Sequence, residues 1–271
     1  MKAALIQMRT VSDKAENLRH ARELIDEAAK NGADLCVLPE MFCCEYRNRS
    51  FIENQEPAGG PAWQMLSAAA RENRVWLIGG SVPEAEDGKL YNTSFVFDRE
   101  GNQAARCRKS HLFDIAVEGG QHFKESATFT PGDEICSFDT EFGRLGLCIC
   151  FDMRFPELAR IMSLDGAWAV FCPASFNMTT GPAHWEIMFR SRAVESQVYA
   201  LGCAPARDEQ GSYVSYANSI AVSPWGDVLA RAGAEETTLY VELDPAYVES
   251  IRAQLPLMSA RRADMYTLRR V

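Results

Sequence analysis

The chain has 271 residues and a formal net charge of −9, and this acidic balance disfavours nucleic acids and anionic membranes as partners. No apolar stretch approaches the roughly 20 residues that cross a bilayer, so we expect no membrane association. Nine cysteines without regular spacing or a secretory signal indicate reduced thiols and a location in the cytoplasm.

Strand-like and helix-like segments alternate along the first half of the chain. In residues 15–29, apolar side chains recur on one face of a helix, and the uninterrupted apolar run at 75–78 is typical of a strand covered on both faces. The predicted elements are a first strand within residues 1–7, helices at 15–29 and 63–73, and strands at 34–38, 75–79, 91–97 and 103–107. This alternation predicts a layered α/β fold.

The second half continues the alternation but ends in closely spaced strands. The short turn at 224–227 indicates antiparallel pairing of its flanking strands and therefore mixed sheets. The predicted elements are helices at 156–164 and 184–197 and strands at 168–172, 198–204, 218–222, 228–232 and 237–243. Because no linker or repeat divides the chain, we expect residues 1–271 to form a single domain, with little core signal in the tail at 255–271.

Three of the apolar segments end in residues that carry chemistry. Glu40 follows Pro39, which cannot continue a central strand, and Lys109 lies in a basic cluster after the strand at 103–107. Cys150 lies where the apolar run from Leu145 changes to charged residues before a helix start, a position that favours the thiolate. A cysteine, a glutamate and a lysine at strand ends are what acyl transfer requires.

In that chain order, the trio Glu40, Lys109 and Cys150 resembles the catalytic triad of the nitrilase superfamily of carbon-nitrogen hydrolases. The similarity extends over nearly the whole chain. Further stretches resemble the omega-amidase branch, and they lie at residues 112–115, 123–126, 131–133, 179–186, 191–199 and 204–208. The resemblance implies a four-layer α-β-β-α sandwich with two mixed β-sheets. It also implies that the tail at 255–271 packs on a neighbouring subunit, in a homodimer or larger homo-oligomer.

The activity that this resemblance implies is hydrolysis of a small linear carboxamide to a carboxylate and ammonia. Cys150 attacks the amide carbon to give a thioester, and Glu40 moves the protons. Lys109 and the backbone N–H of Phe151 stabilise the oxyanion, while Glu125 holds Lys109. The omega-amidase branch acts on 2-oxo acid amides such as 2-oxoglutaramate. The alternatives are an N-carbamoyl compound hydrolase and a deaminated glutathione amidase.

Four residues are predicted to bind the substrate: Tyr46, Phe151, Arg154 and Phe176. Arg154 suits a substrate carboxylate because its guanidinium offers a planar fork of donors, but it equally suits a pair with Asp152 or Glu157. Tyr46 occupies the place of a pocket tyrosine in the omega-amidases. The preceding residues 43–45 depart from their pattern, which leaves the pocket shape open. Phe176 could line the pocket, although core packing is the default role for such a residue.

Three other interpretations compete with this one. A Cys-His pair of Cys150 and His111 is typical of papain-like thiol hydrolases, but it leaves Glu40 and Lys109 without roles. A scaffold that lost catalysis has no chemical reason to keep the whole set. A metal site is disfavoured because neither 43–44 nor 148–150 has the paired cysteine spacing of zinc ligands, and we expect no cofactor.

Overall fold

The computed structural model describes residues 1–270, and helices enclose two large mixed β-sheets in it. Six α-helices lie in this range: α1 (Lys14–Lys30), α2 (Asn48–Glu53), α3 (Pro61–Asn73), α4 (Pro156–Leu164), α5 (Gly181–Ser196) and α6 (Pro245–Gln254). Two short 3-10 helices cover Glu125–Ala127 and Cys150–Arg154. Asp13 caps α1 by accepting hydrogen bonds from Ala15 N and Glu16 N, as expected of an N-cap aspartate.

The strands follow in chain order as β1 (Lys2–Gln7), β2 (Leu35–Val37), β3 (Trp76–Ile78), β4 (Val82–Glu86), β5 (Lys89–Phe97), β6 (Gln103–Arg108), β7 (Asp114–Ala116), β8 (His122–Lys124), β9 (Cys136–Thr140), β10 (Gly143–Leu147), β11 (Ala169–Pro173), β12 (Tyr199–Cys203), β13 (Ile220–Val222), β14 (Val228–Arg231) and β15 (Thr237–Glu242). The first sheet has the order β15-β1-β2-β3-β5-β4, with β6 paired to β5. The second sheet has the order β14-β13-β12-β11-β10-β9, and β7 and β8 form a small separate hairpin.

Each large sheet is built around three parallel strands with antiparallel strands at its flanks. In the first sheet β1, β2 and β3 are parallel, and α1 and α3 connect them. In the second sheet β10, β11 and β12 are parallel, and α4 and α5 connect them. Helical crossovers are the usual way to join parallel strands. The predicted mixed sheets are confirmed, and the turn at 224–227 joins the antiparallel pair β13 and β14.

Three apolar layers separate the four layers of secondary structure. The first layer packs α1 and α3 on the first sheet, the second fills the space between the sheets, and the third packs α4 and α5 on the second sheet. Along β3, Leu77 faces the helices while Trp76 and Ile78 face the other sheet, since successive side chains alternate. The α-β-β-α sandwich and the doubly covered strand at 75–78 are therefore confirmed.

The C-terminal tail follows α6 without further helix or strand as far as residue 270. It lies on its own chain: Gln197 Nε2 donates to Leu255 O, Arg160 contacts Met258, and Arg270 forms an ion pair with Asp165 at 2.8 Å. Val271, the last residue of the predicted tail, lies outside the described residues. Packing of the tail on a neighbouring subunit remains a prediction.

Through residue 270, the chain has no helix that combines the length and the apolarity needed for a membrane span.

Candidate active site

The ends of two strands of the first sheet and the first 3-10 helix bring three charged side chains into a buried cluster. Lys109 directly follows β6, and its Nζ lies 2.8 Å from Glu40 Oε1 and 2.8 Å from Glu125 Oε2. Glu40 follows β2, and Glu125 begins the first 3-10 helix. All three side chains are fully excluded from solvent. The structure therefore brings these three predicted residues into direct contact.

A close backbone contact fixes the segment that carries Glu40. Gly80 has a φ of 57°, and a Cβ atom built there lies only 2.2 Å from Pro39 O. Met41 adopts a φ of 54°, and its N–H donates to Ser81 Oγ at 3.0 Å. These contacts turn the chain sharply after β2 and direct the Glu40 carboxylate inward.

We expect Gly80→Ala to destabilise the protein by about 2–4 kcal/mol and to lower its activity, because the new Cβ displaces the backbone beside Glu40. Gly32→Ala is the matched control, since Gly32 also has a positive φ (81°) but nothing within 4 Å of its Cβ position. It should cost about 1 kcal/mol and leave activity intact. Urea unfolding and a turnover assay make the comparison. Equal effects of the two substitutions contradict this account.

Cys150 lies at the end of the second sheet, three residues after β10, in a strained conformation. Its φ is 49°, and it is the first residue of the second 3-10 helix. The backbone N–H of Ser175 donates to Cys150 Sγ at 3.5 Å. The following helix α4 begins at Pro156, as predicted, six residues after Cys150. Burial, together with the charge of Glu40, raises the pKa of Cys150 well above its usual value. The expectation of a favoured thiolate is therefore wrong: the resting group is a thiol that needs a base.

In this buried site, neighbouring charges shift the pKa values of Glu40 and Lys109. Burial raises the pKa of Glu40, and the neighbouring Lys109 charge opposes that increase. Burial alone lowers the pKa of Lys109, but the charges of Glu125 and Glu40 outweigh it and raise that pKa well above the usual value. Lys109 is therefore a fixed cation, and Glu40 is a carboxylate whose proton affinity is raised for acid–base work.

Two side chains that the sequence analysis assigned no such role hold the turn that carries Cys150. The Asp152 carboxylate accepts hydrogen bonds from Ile149 N at 3.1 Å and from His111 N at 2.8 Å. The buried guanidinium of Arg192 donates to Met153 O at 2.8 Å and also to Arg154 O. These bonds satisfy both ends of the 3-10 helix. The bond from Ile149 is local, but the bonds from His111 and Arg192 join segments about 40 positions apart, so no local sequence pattern signals them.

His111 does not contact Cys150. Its Nδ1 lies 2.8 Å from Asp152 Oδ1, and its ring stacks on Phe155 with centroids 3.6 Å apart. The Cys-His alternative therefore lacks the contact between nucleophile and base on which it depends. Among residues 1–270, no three His, Cys, Asp or Glu side chains come together in a way that could hold a metal ion.

Asn92 on β5 is a buried polar residue that the sequence analysis missed. Its Nδ2 lies 2.9 Å from Glu40 Oε1 and 3.1 Å from Glu125 Oε1. Its backbone O accepts a hydrogen bond from Lys109 N at 2.8 Å. Within the described chain, Glu40 Oε2 has no hydrogen-bond partner. The cluster therefore leaves one carboxylate oxygen of Glu40 uncommitted.

A small cavity of about 60 Å³ opens beside Glu40. Tyr46 lines it, and its hydroxyl donates to Glu40 Oε1 at 3.4 Å. Tyr213, another residue missed from the sequence, stacks on Tyr46 with centroids 4.6 Å apart and donates its hydroxyl to Ser175 O. A cavity of this size suits a small substrate.

Arg154 and Phe176 contact each other, and neither residue lines the cavity beside Glu40. The guanidinium is 4.7 Å from the centroid of the Phe176 ring and 5.5 Å from that of Phe151. Its Nη1 contacts His184 Nδ1 at 3.1 Å, and no carboxylate within residues 1–270 forms an ion pair with it. Asp152 instead accepts from backbone N–H groups, and burial lowers the pKa of Arg154. A half-buried cation without an anion suits an acidic ligand.

Phe151 follows Cys150 directly and presents its backbone N–H at the start of the 3-10 helix. The first hydrogen bond of that turn is donated by Asp152 N to Ile149 O at 3.1 Å. The Phe151 N–H precedes it, in the position where helix N–H groups lack intrahelical partners. The Phe151 ring packs edge-on against Phe113 with centroids 5.4 Å apart.

The similarity of this chain to known proteins covers nearly its whole length. The profile of the family described as "Carbon-nitrogen hydrolase" matches residues 2–253. Omega-amidase NIT2 of Mus musculus is 48% identical over 265 residues, which cover 98% of this chain and 96% of the mouse protein. The crystal structure of Saccharomyces cerevisiae Nit3, a member of branch 10 of the nitrilase superfamily, superimposes with a TM-score of 0.89 at 40% identity and covers 97% of this chain and 96% of its own. A mutant of the amidase from Nesterenkonia sp. AN1, with acrylamide added at its active site cysteine, gives a TM-score of 0.79 at 27% identity and coverages of 94% and 98%.

Proposed function

The chain belongs to the carbon-nitrogen hydrolase family and is a hydrolase of carbon–nitrogen bonds, and we propose that its substrate is the omega-amide of a 2-oxo dicarboxylic acid. The example that we test is 2-oxoglutaramate, hydrolysed to the dicarboxylate and ammonia. The similarity to omega-amidase NIT2 supports this substrate class. The observation that carries the choice of an acidic substrate is Arg154, a half-buried cation with no acidic partner among residues 1–270. The fully buried Lys109, which two carboxylates hold, supports the hydrolytic chemistry.

The first chemical step is attack by Cys150 on the amide carbon. The pKa of the thiol is raised by burial, so the proton passes to Glu40 Oε2 as the sulfur–carbon bond forms. The negative charge develops on the amide oxygen. Two of the three Lys109 N–H donors engage Glu40 and Glu125, which leaves the third for this oxyanion, together with the Phe151 N–H.

The second step breaks the carbon–nitrogen bond. Glu40 returns its proton to the amide nitrogen, ammonia leaves, and the acyl group remains on Cys150 as a thioester. Glu40 then accepts a proton from water as the hydroxide attacks the thioester carbon. Collapse of that intermediate returns the proton from Glu40 to sulfur, which restores the thiol, and releases the carboxylic acid, which loses its own proton to solvent. A single carboxylate with a raised pKa serves both half-reactions.

Arg154 is the group that we propose for the substrate carboxylate. It lies four residues after the nucleophile and has no acidic partner among residues 1–270, so an incoming carboxylate supplies the missing anion. Phe176 packs beneath the guanidinium and restricts its orientation. Tyr46 and Tyr213 line the small cavity beside Glu40, which favours a short substrate.

Product release from four compounds tests the substrate class. These are 2-oxoglutaramate, glutamine, an N-carbamoyl amino acid and deaminated glutathione. The product measured is ammonia, except for deaminated glutathione, whose amide nitrogen belongs to a peptide and which therefore releases that peptide. We expect the highest kcat/KM for 2-oxoglutaramate. Preference for the carbamoyl compound or for deaminated glutathione keeps the chemistry and overturns the substrate. Mass spectrometry of the quenched reaction checks for an acyl adduct on Cys150.

We expect Arg154→Leu to raise KM for 2-oxoglutaramate by about 10- to 100-fold with little change in kcat, because a charge-assisted hydrogen bond is lost. Hydrolysis of propionamide, which lacks a carboxylate, should stay nearly constant. Arg190→Leu is the control for loss of an arginine, since Arg190 is exposed on α5. If Arg154→Leu slows both amides equally, the residue does not bind the carboxylate.

A further inference from the structure

Asn92 is a neutral polar side chain that joins both glutamates of the charged cluster. It is 1% exposed and lies on β5, in the middle of the first sheet's antiparallel half. One amide group reaches Glu40 at 2.9 Å and Glu125 at 3.1 Å. The same residue accepts the backbone N–H of Lys109 at 2.8 Å. It therefore contacts three of the four residues to which we assign catalysis.

The chemistry of the contacts fixes the orientation of this amide. Both partners are carboxylate oxygens, which only accept hydrogen bonds, and an Asn amide has two N–H donors on a single nitrogen. The reversed amide would direct its oxygen at two carboxylates and lose both bonds. Asn92 therefore donates one N–H to Glu40 and the other to Glu125.

Because of these hydrogen bonds, the two oxygens of Glu40 have different surroundings. Oε1 receives Lys109 Nζ at 2.8 Å, Asn92 Nδ2 at 2.9 Å and the Tyr46 hydroxyl at 3.4 Å. Oε2 has no hydrogen-bond partner among residues 1–270. A carboxylate held by one oxygen cannot rotate freely, so the other oxygen keeps a constant position for proton transfer.

We propose that Asn92 is a positioning residue of the hydrolase, which fixes the Glu40 carboxylate so that Oε2 exchanges protons with Cys150 and with the substrate nitrogen. The proposal rests on the assigned role of Glu40 as the base. Through its backbone oxygen, Asn92 also sets the place where Lys109 leaves β6. Asn92 thereby fixes both the base Glu40 and the oxyanion donor Lys109 relative to β5.

A positioning role predicts a change in the pH profile that a merely structural role does not. The titratable groups that face Glu40 are Lys109, Glu125, Cys150, Tyr46 and Tyr213. Because the amide donates to the ionised carboxylate, its loss favours the protonated form and raises the pKa of Glu40. The base must be ionised to act, so activity is then lost at a higher pH as the solution is acidified.

The test uses Asn92→Ala, which removes both donors, and Asn92→Asp, which replaces them with an acceptor. We expect kcat/KM near neutral pH to fall about 10- to 100-fold, because hydrogen bonds to charged groups are lost. The acidic limb of kcat/KM should move to higher pH in both variants. The rate at which iodoacetamide alkylates Cys150, followed by mass spectrometry across the same pH range, should move in the same direction.

Thr93→Val is the matched control on the neighbouring residue. Thr93 is equally buried, but its hydroxyl donates to Glu84 at 2.8 Å on the opposite face of β5. This substitution should lower the melting temperature, but the acidic limbs of kcat/KM and of the alkylation rate should stay at their wild-type pH. The proposal is overturned if the Asn92 variants fold and the acidic limbs of their pH profiles coincide with those of the wild type. If Asn92→Asp does not fold, the result for Asn92→Ala decides.

The two readouts separate this inference from the proposed substrate. If the wild-type protein ignores 2-oxoglutaramate but the alkylation limb of Asn92→Ala still moves, the substrate assignment falls and the role of Asn92 stands. If 2-oxoglutaramate is hydrolysed and neither limb moves, the substrate stands and the inference falls.

Discussion

Replacement of Cys150 by alanine is expected to reduce amide hydrolysis by at least about 10⁴-fold while the protein keeps its fold, as for other hydrolases that lose their nucleophile. The side chain is 3% exposed and loses only its sulfur, so the packing change is small. We expect no neighbouring thiol to take over, because Cys148 interacts with the Cys172 thiol, whereas Cys150 is the thiol next to Glu40. Ammonia release and thermal unfolding measure the two effects.

Cys148→Ala is the control for this experiment. Cys148 is as deeply buried as Cys150 and lies only two residues earlier. Its loss should lower stability by about 1–2 kcal/mol through the cavity it leaves, with turnover preserved. Hydrolysis that survives in Cys150→Ala is the result that removes the thioester mechanism.

Substitution of Lys109 by methionine should affect both activity and stability strongly. Loss of one oxyanion donor costs about 2.7–4 kcal/mol of transition-state stabilisation, which corresponds to about 10²- to 10³-fold in kcat. Removal of the cation also leaves Glu40 and Glu125 as buried carboxylates without a counter-charge, a change that typically costs about 3–5 kcal/mol. Single-turnover kinetics and urea unfolding separate the two losses.

The stability loss in Lys109→Met should depend on pH in a definite direction. Without the cation, the pKa of Glu40 in the folded protein lies still further above its unfolded value. The folded state then binds the extra proton, so stability increases as the pH falls and decreases as the pH rises. Lys124→Met, at an exposed lysine next to Glu125, should change stability by less than about 0.5 kcal/mol at any pH. A Lys109→Met protein as stable as this control contradicts the counter-charge role.

The sequence predicted the fold and the residues at the strand ends because both depend on local patterns. Apolar runs interrupted by Pro39 or by the charged residues after Cys150 mark where strands stop, and α4 was predicted with its observed bounds. The doubly covered β3 was also visible as a continuous apolar run. The resemblance then supplied the four-layer arrangement, which periodicity alone could not give.

Several elements and site residues could not be predicted in this way. The helix α2, the strand β4, the β7–β8 hairpin and α6 are short or largely polar, so no periodic signal distinguishes them. Asn92, Asp152 and Arg192 owe their roles to partners brought close by the tertiary fold, as in the contact of Asn92 with Glu40 across 52 positions. A buried asparagine in a strand looks like any other polar residue until its partners are known.

The pairing of the last strand with the first has a consequence for the order in which the protein can assemble. Lys2 pairs with Glu242 and Gln7 with Thr237, so β1 stays an open edge until almost the whole polypeptide has been synthesised. The intervening β9–β14 form a separate sheet that contributes Cys150, while Glu40 and Lys109 belong to the sheet that closes last. Pairings over such sequence distances form slowly because of the loop entropy they cost. The emerging chain can therefore complete the sheet that carries its nucleophile while the sheet that carries its base still awaits the final strand.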